Sequence, residues 1–158
     1  MAYSTQQALE YIERARDNGR LAHAYLVTGQ KGCGKRQFAA GFAALIHHQP
    51  SVDWPIPPHP DIHIVEPELK SRRISIDQIR TLEHSLQLRP ASAPRKIAVV
   101  TDTDRLTVPA SNAFLKTLEE PPPDSHILLL SAHPEMLLET VVSRCLKIPL
   151  IGGARPAP

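Results

Sequence analysis

The feature that most limits this chain is a glycine-rich turn set between an apolar strand and an amphipathic helix. Residues 29–35, Gly29-Gln30-Lys31-Gly32-Cys33-Gly34-Lys35, have the spacing G-x-x-x-x-G-K. Ahead of them runs Ala24-Tyr25-Leu26-Val27, and behind them Phe38, Ala39, Phe42, Ala43 and Ile46 recur at helical spacing. A phosphate-binding loop needs this context. Its glycines let successive backbone N–H groups curl around an anion, its lysine sets an ammonium among the phosphate oxygens, and the helix start adds its positive dipole end. Gly29, Gly32, Gly34 and Lys35 are therefore candidate nucleotide-binding residues. The next position departs from the pattern. A working loop carries Ser or Thr there, and the hydroxyl ligates magnesium. This chain has Arg36, which offers a metal no lone pair and brings a positive charge of its own. Arg36 either contacts a phosphate or faces solvent on the first helical turn, and solvent is the expected placement.

Strand and helix patterns alternate along the rest of the chain. Helices are predicted over Thr5–Asn18, from Lys35 to about His47, from Ser75 with Ile76, Ile79, Leu82 and Leu86 on one face, from Thr107 or Ser111 to Glu120, and over Glu135–Val142. Strands are predicted at His23–Thr28, Ile62–Val65, Lys96–Thr101, Ser125–Ser131 and Cys145–Leu150. This rhythm implies an α/β fold in three layers, a mostly parallel five-stranded sheet with helices on both faces. One domain over 1–150 is expected, with 151–158 as a tail.

Composition narrows the function classes. Charged residues are 22% and hydrophobic residues 42% of 158, the balance of a soluble globular chain. No apolar run nears the roughly 18 residues of a membrane span, so no membrane partner is expected. Two cysteines, Cys33 and Cys145, are too few for a disulfide framework, and a cytoplasmic location is the expectation. A formal charge of +2 does not by itself argue for nucleic acid. The prolines cluster at 50–60, 121–123 and 156–158 and mark loops and an end.

A P-loop ATPase also needs an apolar strand that ends in an acidic residue holding magnesium, often followed by a glutamate that polarises water. The matching stretch is Ile97-Ala98-Val99-Val100-Thr101-Asp102-Thr103-Asp104-Arg105-Leu106. Here the chain resembles the AAA+ proteins of bacterial clamp loaders, parts of the DNA polymerase III holoenzyme. The resemblance rests on Asp104-Arg105-Leu106, on Ser111 to Pro122 with its Leu-Lys-Thr-Leu-Glu-Glu-Pro run, and on Ser143-Arg144-Cys145. His59-Pro60-Asp61 and His23-Ala24-Tyr25 fit as well. It extends from about residue 5 to 150.

Laid on the family's acidic motif, Thr101 falls at the magnesium aspartate and Asp102 at the catalytic glutamate. A one-residue shift makes Asp102 the metal ligand and leaves Thr103 in the glutamate's place. Either alignment loses one acidic role. With Arg36 added, the pattern is similar to the delta-prime type of subunit, the stationary ring member that hydrolyses no ATP. The resemblance then implies that Arg144 is an arginine finger, reaching the ATP site of a neighbouring motor subunit. A structural ion pair is the competing role for Arg144. The implied partners are motor and delta-type subunits in a hetero-oligomeric ring and, indirectly, the sliding clamp and primer-template DNA. No cofactor is required on this reading, though weak ATP or ADP, or a bound anion, is compatible with it. The alternative is a motor-type ATPase using Lys35 and Asp102.

Ser131 falls where the family carries a γ-phosphate sensor, and it is equally a strand-end serine capping the next turn. Glu119 and Glu120 sit at a helix end, where the dipole disfavours them, so an interface role is expected rather than catalysis. Many family members carry a four-cysteine zinc module where this chain has residues 47–60. That stretch has no cysteine, and His47, His48, His59 and His63 follow no zinc spacing, so zinc is not expected. The family's helical lid and collar have no counterpart after Leu150, which suggests an excised N-terminal domain.

Overall fold

The computed structural model describes residues 2–152. Five parallel strands form one sheet: β1 (Ala24–Thr28), β2 (Ile62–Val65), β3 (Lys96–Val100), β4 (Ser125–Ser131) and β5 (Leu146–Pro149). Their order is β2-β3-β4-β1-β5. The helices are α1 (Thr5–Asp17), α2 (Lys35–Ile46), α3 (Ile76–Gln87), α4 (Val108–Glu119) and the single turn α5 (Glu139–Val142).

The alternation of side chains along each strand builds the three layers. Tyr25, Val27, Ile97, Val99, Leu128 and Leu130 point to one face and pack with Ile12, Phe38 and Phe42 of α1 and α2. Leu26, Ala98, Val100, Ile127 and Leu129 point to the other and pack with Ile79, Leu82, Leu86 and Phe114 of α3 and α4. Both faces are covered, which is why β3 and β4 read as unbroken apolar runs rather than alternating ones.

Local signals place the helix starts. Ser4 caps α1 and Ser75 caps α3, each in a reciprocal capping box with a glutamine three residues on. Thr107 caps α4, accepting from Ala110 N–H. The helix predicted over Glu135–Val142 is not continuous. A 3-10 turn at Pro134–Met136 gives way to extended Leu137 and Leu138, and only Glu139–Val142 is helical. The extended pair lets both leucines pack against the α3–α4 side of the core. At the far end, Ile151 N–H donates to Tyr3 O at 2.9 Å. The rest of the expected tail, residues 153–158, lies outside the described residues.

Two buried polar groups pin the loops on the amino-terminal side of the sheet. Asp61 is fully buried, and its carboxylate accepts from the N–H groups of Ala91, Ser92 and Ala93 at 2.7–2.8 Å. Burial alone would raise its pKa, but these three bonds outweigh it and hold the group at about 2. His126 is buried between Ala22 O and Arg95 Nη1, each at 2.8 Å. Because a guanidinium only donates, Nε2 is the acceptor and Nδ1 carries the proton. Burial pushes His126 down to about 4, against the pull of the Ala22 carbonyl.

Candidate nucleotide site

Parallel strands bring the ends of β1, β3 and β4 to one edge of the sheet. There β1 lies beside β4, out of sequence order, with Thr28 paired to Ser131. A switch point of this kind opens a crevice at the carboxyl ends of the strands. The loop Gly29–Lys35, the turn after β3 and Ser131 all meet at it.

The loop has the shape an anion cradle requires. Gly32 and Gly34 hold φ of 85° and 106°, values that favour glycine, and Gly34 caps α2 in that left-handed state. A Cβ at Gly34 would lie 2.5 Å from Thr5 Oγ1, so α1 presses directly on the loop. Among the described residues, the N–H groups of Gly32, Gly34, Lys35 and Arg36 donate to no protein acceptor. Lys35 folds back across the turn, and its Nζ donates to Gly29 O at 2.6 Å and Gln30 O at 3.1 Å.

Arg36 is exposed, as expected of a solvent-facing residue, but it is not without partners. Its Nη2 lies 3.7 Å from Asp102 Oδ2, and its guanidinium carbon sits 5.6 Å from the centre of the Trp54 ring. Gln37 holds the tryptophan loop in place, donating to Asp53 Oδ1 at 3.0 Å and accepting from Trp54 N–H. The proline-rich segment thus closes over the first turn of α2. Spacing alone hides this arrangement, because Arg36 and Asp102 come together only when β1 and β3 share a sheet.

The acidic turn is also occupied. Thr101 is buried, and its hydroxyl donates to Asp102 Oδ2 at 2.9 Å. Ser131 donates to Asp104 Oδ1 at 3.0 Å and accepts from His133 N–H at 3.0 Å, so its hydroxyl both caps the next turn and ties β4 to the β3 turn. These residues do not fit a magnesium ion. The position of the ligating hydroxyl holds a cation, and the nearest carboxylate is already bonded by Thr101 and paired with Arg36.

Two histidines of the 47–63 region are spent on the fold. His47 Nε2 is 2.8 Å from Arg95 O, and His59 Nδ1 accepts from Asp61 N–H. Among the described residues no group of three metal-ligating side chains converges.

Arg144 stands elsewhere. Leu146 pairs with Tyr25 at the start of β1, which places Arg144 at the amino-terminal edge, away from the loop that follows Thr28. Its Nη1 donates to Thr140 O at 2.9 Å, and its Nη2 lies 2.8 Å from Glu119 Oε1. Cys145 is half-buried beside it, and burial pushes its thiol up to about 11, the state of an inert packing residue.

A three-layer sheet of order β2-β3-β4-β1-β5 with a phosphate loop after β1 defines an AAA+ P-loop domain. The comparisons make this specific. Residues 4–152 match the family described as DNA polymerase III, delta subunit, and the chain belongs to that family. It is 36% identical over 147 residues to the DNA polymerase III subunit delta' of Pseudomonas aeruginosa, covering 84% of this chain and 45% of that one. The delta' subunit of Bacillus subtilis is 30% identical over 154 residues, covering 90% of this chain and 46% of that one. A crystal structure of a gamma subunit-related protein of DNA polymerase III from Thermotoga maritima superposes with a TM-score of 0.75 at 27% identity, covering 97% of this chain and 47% of that one. The chain spans a little under half the length of these curated relatives. No described helix is long and apolar enough to cross a membrane.

Proposed function

We propose that this chain is the AAA+ domain of a clamp-loader subunit that does not hydrolyse ATP, works in the cytoplasm in DNA replication, and presents Arg144 to the ATP site of a neighbouring motor subunit. The observation that carries the silent half of this reading is the Arg36–Asp102 pair. A cation from the protein stands where a hydroxyl would ligate magnesium, and the remaining carboxylate is committed to it. The loop keeps donors for an anion, so phosphate groups can be held without being cut.

The placement of Arg144 supports the second half. It sits at the sheet edge away from its own loop, so any nucleotide it serves belongs to another subunit. A fixed guanidinium there neutralises charge on the departing γ-phosphate. The partners on this reading are motor and delta-type subunits in a ring, with the sliding clamp and primer-template DNA reached through them.

The test is a reconstituted complex of the full-length protein with an ATP-hydrolysing partner subunit. Arg144→Ala slows the partner's turnover on this reading, and an unchanged rate refutes it. ATP turnover by this chain itself, abolished by Lys35→Ala, would establish the motor-type alternative instead.

A further inference from the structure

We propose that Glu119 is a positioning residue for Arg144, its carboxylate holding the guanidinium ready for the neighbour's triphosphate. The proposal rests on the reading of Arg144 as a finger, and it joins the two sequence segments that carry the family resemblance. Glu119 ends α4 and Arg144 follows α5. The helix dipole disfavours a carboxylate at that end, so local helix energetics give no reason for it there. The contact with Arg144 does.

The guanidinium is gripped from two elements. On one side Nη1 donates to Thr140 O at 2.9 Å and to Ser143 Oγ at 3.4 Å. On the other, Glu119 Oε1 stands 2.8 Å from Nη2. Nε has no acceptor among the described residues, so the Nε–Nη2 edge keeps a donor for an incoming oxygen. A free arginine loses much rotamer freedom when it engages a phosphate. Two anchors remove that freedom beforehand, so less is lost in the transition state.

The pair is not buried, with side-chain exposures of 34% for Arg144 and 47% for Glu119. An exposed pair contributes little to folding. That separates positioning from a structural role: Glu119 matters for the neighbour's rate far more than for stability.

The experiment uses the full-length protein reconstituted with an intact P-loop ATPase subunit, comparing Glu119→Ala, Arg144→Ala and the double variant. Glu119→Ala is expected to lower the partner's kcat roughly tenfold, as a displaced catalytic group does. KM for ATP, assembly and melting temperature stay at their wild-type values. The double variant is expected to match Arg144→Ala alone, because Glu119 acts only through the arginine. A slow Arg144→Ala beside a wild-type Glu119→Ala overturns the positioning role and leaves the finger standing. Additive losses, or a loss of melting temperature that accounts for the rate, overturn it as well. A silent Arg144→Ala removes both readings together.

Discussion

Arg36 Nη2 lies 3.7 Å from Asp102 Oδ2, joining the first turn of α2 to the turn after β3 across the carboxyl edge of the sheet. Both side chains are about half exposed, so the pair adds little to stability, under about 1 kcal/mol. Its importance is chemical, since it sets a positive charge of the chain's own and a paired carboxylate where magnesium chemistry needs a vacant oxygen site.

The first prediction follows directly. ATP or ADP bound to the wild-type chain shows the same affinity in magnesium as in EDTA by titration calorimetry. Replacing both obstacles, Arg36→Thr with Thr101→Asp, restores a hydroxyl and a carboxylate, and magnesium then tightens binding by about tenfold, or 1.4 kcal/mol. Magnesium-dependent tightening in the wild type would contradict the reading of the pair.

Asp61→Asn is expected to destabilise the chain by about 2–3 kcal/mol in urea unfolding, because a buried carboxylate that accepts from three backbone N–H groups is replaced by an amide whose nitrogen cannot accept. The acid response has a defined sign. The folded pKa, about 2, lies below the ordinary 3.8. The unfolded chain therefore takes the proton first, and the stabilisation, present above pH 4, fades between about pH 4 and pH 2. In the variant that part of the acid transition disappears.

His126 acts at higher pH and in the same direction. Its folded pKa, about 4, is below the ordinary 6.5, so the unfolded chain protonates first and stability falls as pH drops from 6.5 towards 4. Protonation at Nε2 would set a cation against Arg95. Burial lowers His47 and His63 as well, so they add in the same direction below the ordinary 6.5. Stability measured by thermal melts from pH 7 to pH 4 should lose up to about 1.4 kcal/mol per pH unit from His126, and His126→Gln should flatten the curve by that share.

These groups also show how far the sequence could be read. The strands and the phosphate loop were legible because their signals are local: an apolar run, a glycine spacing, a serine cap with glutamine three residues on. The parallel sheet followed from alternation alone. Where a boundary depended on tertiary packing it was lost, as with Leu137 and Leu138, whose extended backbone serves the core rather than the helix their spacing suggested. The site was legible as residue types and illegible as pairings. Arg36 with Asp102, Ser131 with Asp104, and Glu119 with Arg144 join residues 25–66 positions apart, and no periodicity records such contacts. Asp61 and His126 were missed as anchors for a related reason. Their partners are backbone groups and one arginine on loops whose paths only the folded sheet defines.

Trp54 supplies the last prediction. It is the chain's single tryptophan, and the Arg36 guanidinium lies over its ring. A cation against an indole face perturbs its emission, and the attraction of about 0.5–1 kcal/mol at an exposed site is easily outbid by a phosphate. Pyrophosphate or ATP entering the cradle should therefore draw Arg36 towards the anion and change Trp54 fluorescence saturably. Lys35→Ala should weaken the response by removing the ammonium, whereas Arg36→Gln should abolish the signal while binding measured by calorimetry persists. Because Gln37 fixes the Trp54 loop through Asp53 and the Trp54 N–H, Gln37→Ala should alter the resting emission before any ligand is added. A wild-type emission that stays constant while calorimetry records binding would mean that Arg36 remains on Trp54 and Asp102, and that the anion is held by the loop alone.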